Sequence, residues 1–212
     1  NDAGQLSLPT SGAASNNPST FYLYGSFNSF DPFGALLMAT QSSFGVHKYG
    51  YKYLTSGTQL KIISANNASG TVYGFDGSLN LIPNGNAYTI PSNGFYYIDI
   101  VAGATNIYGL QATSIAPTLI TNPGVANPTY NSSTNTFSYI VNGVTSATNQ
   151  GFYFSIPSPS ASQFGDNLGD GTIDDGGTYI LFPNTTTKPK NFRVDLILNF
   201  NSSGNYTITQ LP

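Results

Sequence analysis

The sequence predicts an all-β protein built as two tandem β-sandwich modules. Short runs rich in aromatic and β-branched residues recur at roughly the 8–12-residue spacing of a sandwich, with turn residues between them. No segment keeps the helical period of about 3.6 over a long window, and 23 glycines and 13 prolines break long helices. The same strand pattern then starts again halfway along the chain.

Residues 1–19, ending SGAASNNPS, are small, polar and proline-punctuated, and read as a linker. The first module begins with FYLYGSF (21–27). The run GALLMAT (34–40) offers a short helical turn. VHKYGYKYL (46–54), QLKIIS (59–64), SLNLI (78–82), AYTIP (87–91), FYYIDIV (95–101) and IYGLQATS (107–114) read as strands, most of them alternating over a few positions. NNASG, PNGN, PSNG and AGAT are the turns that separate them. After Ala116-Pro117 the order repeats. LKIISA matches FYFSIP, placing Leu60 on Phe152, and NGNAYTIP matches GGTYILFP, placing Gly85 on Gly177 and Pro91 on Pro183. FYYIDIVAGATNIYGLQ matches FRVDLILNFNSSGNYTITQ, placing Asp99 on Asp195 and Tyr108 on Tyr206. Repetition of a whole strand order predicts modules over 20–114 and 116–212, each an immunoglobulin-like sandwich, held semi-rigidly by the proline joint.

Composition narrows the function. Only 7% of residues are charged, with nine Asp, no Glu and six Lys or Arg, so solubility rests on amides and hydroxyls. Lys188, Lys190 and Arg193 make the one basic cluster, too small for the phosphate neutralisation that nucleic acid demands. Cysteine is absent, which excludes a thiol nucleophile, a Cys-ligated zinc and a disulfide framework. No apolar run is long enough to span a bilayer. The chain reads as a mature segment of an exported protein, and a targeting peptide or lipid-bearing cysteine is expected upstream of Asn1.

The runs YLYGSF, LKII, YGFDGSLNL, NGNAYTIP and GFYYIDI in the first module resemble the repeated C-terminal modules of the SusE/SusF family, glycan-binding surface lipoproteins of Bacteroidetes. In the second module the resemblance lies in FYFSI, FGDNLGDGTIDDGGTYILFP and FRVDLIL, and it spans nearly everything past residue 20. The chain departs from that pattern in having no Trp; its opening loop carries Phe30 and Phe33 instead, and the second module opens TLITNPG rather than Tyr-Leu-x-Gly. The resemblance implies sandwiches of starch-binding-module type on the outer face of the outer membrane, held only through a lipid anchor. It implies polysaccharide binding without catalysis, α-glucan as the default ligand, and an outer-membrane importer complex as partner. The alternative is a structural or adhesive surface module.

Stacking on a sugar needs an exposed flat ring flanked by amides or a cation. Phe30 and Phe33 lie in NSFDPFG, where Asp31-Pro32 disfavours a strand, and Tyr73 and Phe75 lie beside the Asp76-Gly77 turn. The resemblance places platform aromatics near Phe30 and Tyr73 and a cation on Lys61. Asn66 and Asn67 are candidate hydroxyl partners. In KYGYKY, alternation puts Lys48, Gly50 and Lys52 on one face and Tyr49, Tyr51 and Tyr53 on the other. That strand is either half-buried with snorkelling lysines or a second ligand surface.

No cofactor is expected. DNLGDGTIDD fits an EF-hand loop at Asp170 and Gly171 but fails at Leu168 and Gly177. Asp166, Asp170, Asp174 and Asp175 therefore form either a different calcium site or an acidic turn. An enzyme is not expected: the lone His47 has no triad motif near it, and Asp99 and Asp195 occupy equivalent positions, the mark of a structural repeat. Five Asn-x-Ser/Thr sequons, at Asn67, Asn131, Asn184, Asn201 and Asn205, matter only for a eukaryotic source.

Overall fold

In the computed structural model, residues 20–41, 46–78, 80–102, 107–114, 116–121, 124–147, 151–157 and 163–212 are described. The expected linker over 1–19 and Ile115 of the expected joint lie outside them. The first half of the chain contributes β1 (Tyr22–Gly25), β2 (Leu36–Leu37), β3 (Ala39–Gln41), β4 (Val46–Leu54) and β5 (Gln59–Ile63). It continues with β6 (Val72–Phe75), β7 (Leu81–Pro83), β8 (Tyr88–Thr89), β9 (Gly94–Ala102) and β10 (Ile107–Ser114). The second half contributes β11 (Thr118–Thr121), β12 (Val125–Ala126), β13 (Thr129–Asn131), β14 (Thr136–Val144) and β15 (Gly151–Ser155). Then come β16 (Gln163–Gly165), β17 (Asp174–Asp175), β18 (Ile180–Leu181), β19 (Lys190–Leu198) and β20 (Gly204–Leu211). No α-helix occurs among the described residues.

Each half is a two-sheet sandwich. In the first, one sheet runs β2-β1-β5-β6-β7 with β8 also on β5, and the other runs β10-β9-β4-β3. In the second, the orders are β12-β11-β15-β16-β17 with β18 on β15, and β13-β14-β19-β20. Every pairing is antiparallel. The two halves share one topology and one steric device. Gly74 lies against the backbone of Gly85, and Gly165 against that of Gly177 and Thr178, so a Cβ at either strand position would overlap main chain.

Side-chain alternation builds both cores. In β19, Phe192, Val194, Leu196 and Leu198 point inward while Arg193 and Ile197 face out. In β9, by contrast, Phe95, Tyr96, Tyr97, Ile98, Asp99 and Ile100 are all buried. Tyr96, Ile98 and Ile100 fill the first sandwich, while Phe95 and Tyr97 join the core cluster of the second. That is why FYYIDIV reads as a continuous apolar run: both of its faces are covered.

The covering surface is the second sandwich. Tyr49 and Tyr51 of β4 lie in the same cluster as Phe137 and Leu198. The Phe95 ring meets Phe137 edge-on at 4.9 Å, and Tyr53 stacks on Tyr130 at 5.4 Å. The Tyr51 hydroxyl donates to the Pro157 carbonyl at 2.6 Å, and the Tyr49 hydroxyl lies 3.2 Å from Ser202 Oγ. β3 pairs with β4 only as far as Ala39 opposite Tyr49. Beyond it the edge of β4 is open, and the Tyr51 N–H donates to the Phe200 carbonyl at 2.9 Å. The Phe200 ring lies over Gly50, where a Cβ would reach it at 2.5 Å.

Two expectations are corrected here. The run from Gly34 to Thr40 is not a helical turn but the edge strands β2 and β3; the helical turns are 3₁₀ and lie at Ser26–Asn28 and Pro32–Gly34. Leu36 and Leu37 pair with Leu23 and Tyr22, and Met38 N–H donates to Phe21 O, so the run completes the edge of β1. A short apolar run carries no period that separates these outcomes. KYGYKY is likewise covered on both faces, with Lys52 and Tyr53 half-buried at its end: Lys48 is 4% exposed and donates to Thr40 Oγ1 at 2.8 Å, and Lys52 lies over the Phe27 ring at 4.8 Å.

The seam predicts coupled unfolding. Tyr51→Ala should cost about 3–5 kcal/mol and split one calorimetric transition into two. Tyr51→Phe, which loses only the bond to Pro157, should cost about 1 kcal/mol and keep one transition.

Candidate functional site

With one sheet of the first sandwich covered by the second module, the other sheet carries an outer face free of that contact. Tyr22 sits opposite Leu37 and Ile63, and Tyr24 opposite Lys61, so these side chains share that face. Leu23, Leu60 and Ile62 turn the other way into the core. A small apolar cluster of Tyr24, Ala35 and Ile63, flanked by Tyr22, Phe30 and Val72, lies on the outer face.

The loop that follows β1 folds back over it. Asn28 Oδ1 accepts from Gly25 N–H at 3.0 Å, and Asn28 Nδ2 donates to Asp31 O at 2.9 Å. Asp31 Oδ1 accepts from Phe33 N–H at 3.0 Å, with Pro32 opening the second 3₁₀ turn. Ser29 and Phe30 take left-handed backbone, φ 58° and 56°, a conformation that an aromatic residue rarely adopts. This reversal lays the Phe30 ring edge-on against Tyr24 at 5.7 Å. It leaves Phe33, at 68% exposure, standing out from the face.

The sequence-predicted site residues divide between two faces. Phe30, Phe33, Lys61 and Asn66 come together on the outer side. With its amide nitrogen turned to the loop, Asn66 donates to Phe33 O at 2.9 Å and reaches Pro32 O, so it braces the Phe33 loop. Asn67 Oδ1 accepts from the Ser69 N–H and hydroxyl, a local turn. Lys61 is half-buried as a residue and carries no ion pair among the described residues. Tyr73 and Phe75 lie on the inner side. Tyr73 sits opposite Ile62 with its ring 6.0 Å from Phe21, and burial pushes its phenol pKa up. Phe75 sits opposite Leu81 and is 3% exposed, a core residue closed to ligand. The two-residue period of β6 puts both on the Ile62 side, which the adjacent Asp76-Gly77 turn obscured.

The second module presents a face that the sequence reading missed. Tyr153 occupies the strand position matched to Lys61, and Tyr179 packs edge-on against it at 5.3 Å. Tyr179 is 53% exposed and Leu181 68%. Ile180, between them, is buried, so alternation around one core isoleucine would have flagged its neighbours as outward. A cavity of about 330 Å³ adjoins, lined by Tyr179, Leu181, Asp166 and Tyr206 among others.

The acidic run beside it is organised by donors. Asp166 Oδ1 accepts from Leu168 N–H at 3.0 Å and Gly169 N–H at 2.6 Å, and Oδ2 from Gly171 N–H at 3.1 Å and the Tyr206 hydroxyl at 2.7 Å. Desolvation pushes the Asp166 carboxyl up, but the Tyr206 hydroxyl and the N–H groups of Gly171, Gly169 and Leu168 outweigh it, so its pKa falls. Burial, and then Asp166 itself, push the Tyr206 phenol up. Asp170 Oδ1 accepts from the Thr172 N–H and hydroxyl, and Asp174 Oδ2 from Asn167 N–H. Among the described residues no group of three or more His or Asp side chains is placed to hold a metal ion, so Asp166, Asp170, Asp174 and Asp175 form no such cage. Elsewhere, His47 Nδ1 lies 2.9 Å from Asp99 Oδ2, while Asp195 accepts from Ser138 Oγ and Arg193 Nε. Both matched aspartates thus hold neighbouring strands together.

Two measurements follow from this geometry. Phe75→Ala should cost about 3–5 kcal/mol in thermal denaturation, whereas Phe33→Ala should stay within about 0.5 kcal/mol. Asp166→Asn should cost about 1–3 kcal/mol at neutral pH in urea. A carboxyl whose folded pKa is depressed stabilises above its unfolded value of about 3.9. That stabilisation fades as pH falls through the folded pKa, so the difference between variant and parent should close in strong acid.

No model of a known protein family matches the chain, and no curated protein does. Among solved structures it is similar to SusF from Bacteroides thetaiotaomicron, with a TM-score of 0.54 at 14% identity. The match covers 90% of this chain and 47% of that one, so the chain spans about half the length of that protein, and the likeness is one of fold.

Proposed function

We propose that this chain is a non-catalytic, polysaccharide-binding pair of modules displayed on the outer face of an outer membrane. The observation that carries the reading is Phe33, a flat ring 68% exposed on a loop braced by Asn28, Asp31 and Asn66. A ring held rigid in water loses little entropy when a sugar lies on it. The Lys61 ammonium shares its sheet face and can donate to sugar hydroxyls. Tyr179 with Tyr153 offers a second ring in the other module. The motif resemblance makes α-glucan the first ligand to try, and an importer complex the natural recipient. Single faces of this kind hold sugar weakly, about 4–7 kcal/mol; many copies on one surface raise the effective concentration.

A structural or adhesive role is the second reading. Val125, Leu168 and Leu181 are 62%, 82% and 68% exposed, and exposed aliphatics also suit a protein contact. Affinity electrophoresis through a panel of polysaccharides separates the two. Glycan capture predicts retardation in at least one gel, weakened about tenfold, or ~1.4 kcal/mol, by Phe33→Ala with folding intact, and no release of reducing sugar. Unretarded migration in every gel would favour the adhesive role.

A further inference from the structure

β4 leaves the end of one edge unpaired. β3 runs beside it only as far as Ala39 opposite Tyr49, and the next outward N–H, that of Tyr51, donates to Phe200 O at 2.9 Å. In an antiparallel ladder the N–H and C=O of one residue point to the same side, and the side alternates along the strand. The Tyr51 C=O and the N–H and C=O of Tyr53 therefore point to this open edge, away from β9. None of the three meets a partner among the described residues.

That edge borders a cleft of about 330 Å³, in the range of small-ligand pockets, and both sandwiches supply its walls. Tyr53 and Tyr130, stacked at an interplanar angle of 29°, both line it. The Tyr130 hydroxyl donates to Asn135 Oδ1 at 2.9 Å, and Asn135 Nδ2 donates to Leu198 O at 3.2 Å, so the wall is fixed before a ligand arrives. Ser132 and Asn199 lie in the same lining; the Ser132 hydroxyl and the Asn199 amide oxygen carry no bond among the described residues. The charge of Lys52 is turned elsewhere: the residue pairs with Tyr96, which fills the first sandwich, and its ammonium lies 4.8 Å over the Phe27 ring. No charged side chain is thus aimed into the cleft to offset burial of an ionic ligand. What remains is an apolar ring wall beside a mixed set of neutral donors and acceptors, and sugar hydroxyls both donate and accept. An extended peptide could use the same strand edge, but β4 ends at Leu54, one residue past Tyr53, and offers it almost no ladder.

We infer that the intermodule cleft is a binding site for a short neutral sugar, held against the Tyr53–Tyr130 wall by the open main-chain edge of β4. It is separate from the outer sheet faces and does not require that they hold glycan. Because both modules form the cleft, occupancy also ties them together, and ligand should raise the temperature of their joint unfolding.

The test titrates the whole chain with maltose, cellobiose and lactose as neutral disaccharides, with digalacturonate as a charged one, and with acetyl-trialanine amide as a neutral peptide. Main-chain amide shifts in NMR and the unfolding temperature are followed. The expected result is a saturable shift of the Tyr53 amide with at least one neutral disaccharide, together with a raised unfolding temperature. Binding should weaken about tenfold in Tyr53→Leu, which removes the phenol ring but keeps apolar cover on Tyr130. Phe33→Ala should leave it unchanged, whereas polysaccharide retardation depends on Phe33, so the two sites fail independently. No saturable shift at Tyr53 with any of the three disaccharides, equal affinity for digalacturonate or the peptide, indifference to Tyr53→Leu, or loss in Phe33→Ala would each overturn the inference. If Tyr53→Leu fails to fold, the location of the shifted amides on the parent chain decides it: at Tyr53 and Asn199 for the cleft, elsewhere against it.

Discussion

The packing of Tyr49, Tyr51, Phe95 and Tyr97 onto the second sandwich is the constraint on which the rest of this structure depends. A four-stranded sheet with one apolar face in its own core and a second apolar face in water would be an aggregation hazard. Here the second face is absorbed into the core of the neighbouring module, and the phenol oxygens of Tyr49 and Tyr51 find Ser202 and Pro157 at its border. Tyrosine suits this place because one end of the ring is apolar and the other needs a partner. The seam spends four aromatics on architecture, and the rings left open, Phe33 and Tyr179, lie away from it.

The free faces and the poverty of charge fit together. A chain with 7% charged residues has little long-range field, so any recognition would come from contact. Phe33 and Tyr179 are large rings presented on short, hydrogen-bonded scaffolds rather than on long loops. The aspartates, the acids from which hydrolytic chemistry would be drawn, are committed: Asp166 to four N–H and O–H donors, Asp99 to His47, and Asp195 to Ser138 and Arg193. These groups organise strands and turns.

Much of the architecture was legible because strand alternation is a local property. The runs around Leu60, Phe95 and Phe192 announce strands, and their repetition announces a duplicated sandwich. The exposed loop aromatic Phe33 was legible because Asp31-Pro32 fixes a turn. Phe75 was misread because a neighbouring turn says nothing about which face a strand residue takes; that depends on register against Leu81. Tyr179 was missed because it borders a strand of only two residues, where alternation flags it only once Ile180 is known to be core. The seam was half legible: KYGYKY declares a tyrosine face, but what covers that face is a tertiary fact settled some hundred residues away, at Phe137 and Leu198.

The central claim is that open rings on a rigid, duplicated β scaffold hold sugar by contact alone. Saturation-transfer difference NMR on the whole chain, with aromatic protons irradiated in the presence of maltoheptaose, addresses it most directly. The account predicts transfer concentrated on the axial C–H protons of one sugar face, with the oligosaccharide intact after prolonged incubation. Absence of transfer from the aromatic protons to this glucan and to every other oligosaccharide in a broad panel, or appearance of shorter products, would contradict it.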